Sequence, residues 1–277
     1  MTENRKYYAE GGARAKRVED LFSKIAPRYD LINDLQSLGL HRLLKRRLVR
    51  LAAVPDQARA LDLCCGTGDL VRALARTYPR ASFIAGLDFA MPMLRIAAAR
   101  AAIAGADAGS GVGADSGTGA AAGIGTGATA GAGSNAGAAP HARIAYFRAD
   151  ALRIPIGDAA FDRVTMSYGL RNVADIGACL AEARRVLRPG GRLVILDFSK
   201  PQNKVLASLY FTYLRRAVPL FGRIFFGDPE TYGYILVSLQ HFPSPEVLTR
   251  MLLAAGFARV RGERPLFGTM GIQIADV

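Results

Sequence analysis

The chain has 277 residues, is 51% hydrophobic and carries a formal net charge of +13 at pH 7, enough material for one large domain or two small ones with a proper core. No apolar run reaches the roughly 18 residues of a spanning helix. Its three cysteines, Cys64, Cys65 and Cys179, have neither the spacing of a metal site nor the even count of a disulfide framework.

The first ten residues are polar and lack the apolar core of a secretory signal, so with its few cysteines the chain reads as cytoplasmic. Basic residues cluster at Arg5-Lys6, at residues 14–17 and along residues 42–50 (RLLKRRLVR). In the last stretch leucines and cations both recur at helical spacing, which predicts an amphipathic basic helix. Nucleic acid, an anionic membrane surface and plain solvent compete as partners for this charge.

Residues 59–63 read as a first strand, Gly66-Thr67-Gly68 as the turn that follows, and residues 69–78 as a helix. Such a turn lets backbone N–H groups approach a cofactor closely. A second strand at 82–87 leads to Asp88, where a carboxylate accepts hydrogen bonds from ribose hydroxyls. Dinucleotide sites share this layout, and an ordinary tight turn is the plain alternative. Two details favour S-adenosylmethionine over NAD. Leu70-Val71 occupy the place of a third, helix-packing glycine, and Asp62 sets a carboxylate inside the motif, which suits a cationic amino-acid cofactor better than a pyrophosphate.

A helix at 91–102 runs into residues 104–139, which are almost entirely Gly, Ala, Ser and Thr. That composition cannot bury enough apolar area to offset its ordering entropy and predicts a flexible surface insertion. Strands follow at 143–148 and 161–167, then a helix at 176–187 ended by Pro189-Gly190-Gly191, and a strand at 192–198. Ser244-Pro245-Glu246 starts a later helix and Gly256 ends it, with two more strands near 258–263 and 271–277. The alternation predicts an α/β fold, a mostly parallel sheet with helices on both faces. Ligands of such sheets bind at the carboxyl ends of the strands, where Thr67, Asp88, Asp150 and Ser167 all fall. Between the fifth strand and Ser244, the aromatic stretches 206–213 and 220–226 are either core or an apolar ligand slot beside that pocket.

Three separated motifs carry a resemblance: FSKIAPRYDLIND (22–34) continuing through Ser37 to His41, YGLRNV (168–173), and RVLRPGG (185–191) continuing to Leu196-Asp197-Phe198-Ser199-Lys200-Pro201. The chain resembles the UbiE/MenG-type quinone-biosynthesis C-methyltransferases over nearly its whole length except the Gly/Ala-rich insertion. It departs from their pattern at Leu44, usually a tryptophan, at Cys64, often Ala or Gly, and at Asp197, often Glu.

The resemblance implies a Rossmann-like class I fold with a seven-stranded sheet. Residues 1–50 would form a helical substrate cap with a candidate membrane contact, and residues 51–277 the methyltransferase domain. It implies S-adenosylmethionine as cofactor, no metal, and attack of a quinol ring carbon on the sulfonium methyl in a dry, aligned pocket. Cofactor contacts would then fall on Asp62, Gly66, Thr67, Gly68, Asp88, Asp150, Ala151 and Ser167. Asp150 and Ser167 also suit plain cap or turn roles. Arg171 is the first candidate for the chemical step, stabilising a phenolate or orienting a water, with a structural ion pair as the alternative. His41 is a candidate base or a capping histidine, and Tyr29 and Asp30 either shape the pocket or merely start a helix. The expected substrate is a prenylated quinol, demethylmenaquinol first and the methoxy-polyprenyl benzoquinol of ubiquinone synthesis second. An RNA methyltransferase and a non-catalytic binding module are weaker readings, since the chain carries no RNA-binding motif and keeps the glycine turn, Asp88 and Arg171. No nucleic-acid partner is expected.

Overall fold

The computed structural model describes residues 12–28, 30, 33, 34, 37, 39–103, 142–226 and 230–277. Tyr29 and the insertion at 104–139 lie outside them. The chain opens with helix α1 (Gly12–Ile25) and a short 3-10 turn (Ala26–Arg28), then α2 (Leu40–Ala52). The alternating body follows: β1 (Arg59–Leu63), α3 (Asp69–Thr77), β2 (Phe83–Asp88), α4 (Met91–Ile103), β3 (Arg143–Arg148) and β4 (Phe161–Ser167). A 3-10 turn (Leu170–Asn172), α5 (Ile176–Val186) and β5 (Leu187–Phe198) complete its parallel part. Helices α6 (Lys204–Phe226), α7 (Glu230–His241) and α8 (Pro245–Ala254) precede β6 (Arg259–Glu263) and β7 (Met270–Asp276).

The seven strands form one sheet in the order β3-β2-β1-β4-β5-β7-β6. All neighbours are parallel except β7, which runs antiparallel to both β5 and β6. Chain order reverses between β1 and β4, so the loops leaving these two strands diverge and open a crevice at their carboxyl ends.

Alternate side chains sort the core into two layers, as the period of a strand requires. Ala60, Ile84, Val194 and Ile272 pack with Leu48 of α2, Leu74 of α3 and Leu94 of α4. Leu61, Ala85, Leu193 and Ala275 pack on the other face with Leu180 of α5 and Leu252 of α8. A third apolar cluster joins Leu21 and Ile25 of α1 to Met93 of α4, Leu214 of α6 and Leu239 of α7. It ties the helices before the sheet to those after β5.

Two expectations need correction. The basic helix over residues 42–50 exists within α2, and its Leu44 and Leu48 are buried in the sheet core rather than offered to a surface. The boundary drawn at residue 50 therefore falls inside a helix that packs on the sheet. Secondly, the chain is already extended at Leu187, which pairs with Phe161 before the Pro189-Gly190-Gly191 kink, and the ladder resumes in a shifted register at Arg163–Arg192. Gly190 adopts φ +74°, the left-handed region that favours glycine.

Candidate active site

The turn between β1 and α3 is built on glycines for two separate reasons. Gly68 has φ +71°, and a Cβ there would meet the Tyr146 hydroxyl at 2.6 Å and the Ala97 Cβ at 2.8 Å. Gly66 has φ +54° with nothing within 4 Å of the Cβ position, which leaves its backbone open on the side where it lines a cavity. Asp88, at the end of β2, fixes the turn: its Oδ2 accepts the Gly66 N–H (2.8 Å) and its Oδ1 the Ala90 N–H (2.9 Å). Burial pushes the Asp88 carboxyl up, against the lowering effect of these N–H donors. Each oxygen keeps a second acceptor position.

The cavity holds about 430 Å³ at the carboxyl ends of the strands. Gly66, Asp88, Asp150, Ala151 and Ser167 all line it, so five of the residues expected to hold the cofactor converge there. Phe89, Met93, Leu152 and Val173 supply its apolar wall, and Val18, Glu19 and Phe22 of α1 its opposite side. Carboxylates near an open glycine backbone, with apolar surface between, fit a nucleoside that carries an amino-acid tail. The residues present therefore fit S-adenosylmethionine. Asp88 would hold the ribose and Asp150-Ala151 the adenine. Asp150 also makes a local turn, its Oδ1 accepting the Leu152 N–H at 2.9 Å.

Other expected residues stand apart from the lining. Asp62 is fully buried and accepts a hydrogen bond from Thr165 Oγ1 at 2.7 Å, and burial pushes its carboxyl well above the usual range. Thr67 turns its hydroxyl to the Asp30 carboxylate (3.0 Å to Oδ1, 3.2 Å to Oδ2), which Arg100 also holds. Arg171 was expected on the pocket rim. Its side chain is instead 4% exposed and paired with Asp197, itself 3% exposed, at 2.8 Å. The same Nη1 donates to the Tyr168 carbonyl (2.8 Å), Asp197 Oδ2 accepts the Arg171 backbone N–H (3.1 Å), and the guanidinium lies 4.7 Å from the centre of the Phe198 ring. His41 is buried with Nδ1 2.7 Å from Ser37 Oγ and Nε2 3.6 Å from Asp34. Burial, and then the Lys45 cation, depress its pKa and keep the ring neutral at pH 7.

Several residues escaped the sequence reading. Lys45 pairs with Asp69 (2.6 Å) at the start of α3 and sits over the Tyr168 ring at 5.6 Å. Burial alone would raise the Asp69 carboxyl, but Lys45 outweighs it and holds the group low. Tyr168, with φ +59°, is the hinge after β4 and lines the cavity together with Cys64 and Asn172. Tyr168 and Asn172 belong to the YGLRNV motif, which marked them. Lys45 was hidden by the run of surface cations around it.

Comparison with known proteins places the chain in a lineage. The pattern of the ubiE/COQ5 methyltransferase family matches residues 11–110 and 131–276, leaving out a stretch of the Gly/Ala-rich segment. A demethylmenaquinone methyltransferase of Thermus thermophilus is 38% identical over 256 residues, 92% of this chain and 99% of that protein. A 2-phytyl-1,4-naphtoquinone methyltransferase of Thermosynechococcus vestitus is 37% identical over 94% of this chain and 98% of its own length. Among solved structures, a SAM-dependent methyltransferase from Aquifex aeolicus shares the fold with a TM-score of 0.52 at 14% identity, covering 84% of this chain and 89% of that one. With its glycine turn, Asp88 and nucleoside-sized cavity, the chain belongs to the ubiE/COQ5 methyltransferase family and is an S-adenosylmethionine-dependent C-methyltransferase.

Proposed function

We infer that the enzyme methylates a ring carbon of a prenylated quinol, and that demethylmenaquinol is the acceptor. The observation that carries this reading is the near full-length similarity to two methyltransferases whose names specify naphthoquinone-type acceptors. When bound, S-adenosylmethionine supplies an electrophilic methyl on a sulfonium. The protein's task is then alignment, exclusion of water and management of one quinol proton. Gly66, Asp88, Asp150, Ala151 and Ser167 bind and orient the donor, while Asp62, Thr67 and Gly68 hold the turn in shape around it. Tyr168, between the cavity and the Phe198 ring (centroids 5.5 Å apart), faces the acceptor side. Arg171 is not a proton acceptor. It fixes the Tyr168 carbonyl and, through Asp197, the end of β5. His41, held neutral, is the group able to take a proton near pH 7, and Asp30 closes over the glycine turn through Thr67.

The acceptor's prenyl tail calls for an apolar exit. Val205, Leu206, Leu209, Tyr213 and Leu220 of α6 are exposed, and Arg46 and Arg50 of α2 are exposed cations. No helix among the described residues is long and apolar enough to cross a membrane. The proposed arrangement is a cytoplasmic enzyme that touches the membrane surface with α6. Flotation with anionic liposomes tests it, and a protein that stays at the bottom of the gradient refutes it.

The catalytic reading is tested by transfer of labelled methyl from S-adenosylmethionine to reduced demethylmenaquinone and, separately, to the methoxy-polyprenyl benzoquinol. Label on a naphthoquinol ring carbon is the expected result. Label on the benzoquinol alone moves the enzyme to ubiquinone synthesis, and label on neither sinks the substrate assignment.

A further inference from the structure

The side of the cofactor cavity formed by α1 is not part of the sheet, and something has to hold it there. Glu19, which lines the cavity, pairs with Arg148 at 2.9 Å. Arg148 stands at the end of β3, and its Nε also donates to the carbonyl of Phe89 at 3.0 Å, directly after Asp88. One guanidinium thus ties α1 to the loop that carries the ribose-binding carboxylate. A second tie lies just past α1. Asp30 accepts from Thr67 of the glycine turn and is paired with Arg100 of α4. Between the two ties α1 contributes an apolar seam, Leu21 and Ile25 against Met93 and Ala90. Neither Arg148 nor Arg100 lines the cavity.

We propose that Arg148 and Arg100 are positioning residues that clasp the N-terminal helical segment over the cofactor cavity, and that opening this clasp limits exchange of S-adenosylmethionine for the spent S-adenosylhomocysteine. The chemistry of the two ties suits a latch. Their side chains are between about a third and two fifths exposed (37% and 33% for Arg148 and Glu19, 41% and 32% for Arg100 and Asp30), so each is screened by water and salt and opens readily. The buried pairs of this protein, such as Arg171 with Asp197, lack that property. The clasp closes three loops at once: the glycine turn through Thr67, the post-β2 loop through Phe89, and the cap through Glu19 and Asp30. A ligand beneath it is held without direct contact to either arginine.

The inference rests on assigning the cavity to S-adenosylmethionine, and the test separates the two. Dissociation of S-adenosylhomocysteine is followed by stopped-flow fluorescence competition for the wild type, R148Q, R100Q and the double variant. The expected result is a dissociation rate raised about threefold to fivefold by each single change, as for loss of one part-exposed ion pair. Wild-type dissociation also accelerates between about 0.05 and 0.5 M salt, and the double variant has lost most of that response. Hydrogen exchange of residues 12–25 in the ligand complex speeds up in parallel. Unchanged dissociation and exchange in both variants overturn the clasp while leaving the cofactor assignment intact. A wild type that binds no S-adenosylhomocysteine overturns both. R100Q, whose arginine also lies outside the cavity lining, carries the first arm should R148Q fold poorly.

Discussion

Replacing Arg171 by methionine separates a chemical role from a scaffolding one. The substitution keeps the aliphatic volume and removes a cation whose side chain is 4% exposed, leaving the Asp197 carboxylate buried without its counter-charge. Breaking a buried pair in this way costs about 3–5 kcal/mol, which for a domain of this size lowers the melting temperature by about 6–20 °C. The backbone bonds to Asp197 persist, since Asp197 Oδ2 still accepts the Arg171 N–H and Oδ1 the Phe198 N–H at 2.8 Å. Changing Asp197 to asparagine as well removes the stranded charge and keeps one of those acceptors. The double variant R171M/D197N is therefore expected to regain most of the loss. Urea denaturation of the wild type, R171M, D197N and the double variant measures the cycle, with methyl transfer assayed on each. An R171M protein destabilised by less than about 1 kcal/mol but devoid of methyl transfer would refute the reasoning and return Arg171 to the chemistry.

Further outcomes follow from the same structure. Gly68→Ala combines left-handed backbone strain with a Cβ pressed to 2.6 Å from the Tyr146 hydroxyl, so stability falls by about 2–5 kcal/mol in chemical denaturation and cofactor affinity falls with it. Tyr210→Phe deletes a buried hydroxyl that has no hydrogen-bond partner among the described residues. It is expected to leave the free enzyme as stable or more stable in urea by up to about 1 kcal/mol, and a clear loss would mean the hydroxyl is partnered in solution. His41 has a folded pKa below its unfolded value, so the unfolded chain binds the proton more readily and stability falls as pH drops below about 6.5. The groups around it are Asp34, Lys45, Asp69 and Arg42. Unfolding free energies at pH 7.5 and 5.5 should show a shallower slope in His41→Gln.

Much of the frame was readable because it rests on short-range rules. Residues of β1, β2 and β5 sort by twos into the two core layers, and the turn needs glycine at 66 and 68 for reasons local to the backbone. Asp88 was legible because it ends a strand one turn motif away from them. What escaped depends on pairs distant in sequence. Nothing around Arg171 announces Asp197 on the next strand, and nothing near Arg148 announces Glu19 on the first helix. The leucines of α2 signalled an amphipathic helix correctly, but periodicity cannot say whether a sheet or a bilayer covers the apolar face. Leu187 looked helical because its extended conformation is set by pairing with Phe161 across the sheet.

The topology also decides where the Gly/Ala-rich segment joins the body. It departs after Ile103 at the end of α4 and returns at the start of β3, an edge strand. Because α4 runs back from the carboxyl end of β2, both junctions lie at the amino ends of the strands, across the sheet from the cavity. That makes the junction a port for protein engineering. For a segment whose composition predicts a flexible insertion, cutting residues 104–141 to about five is close to three halvings of loop length, worth about 2 kcal/mol of closure entropy. A reporter domain or affinity handle grafted there would report on the enzyme from the end of the sheet opposite the cavity.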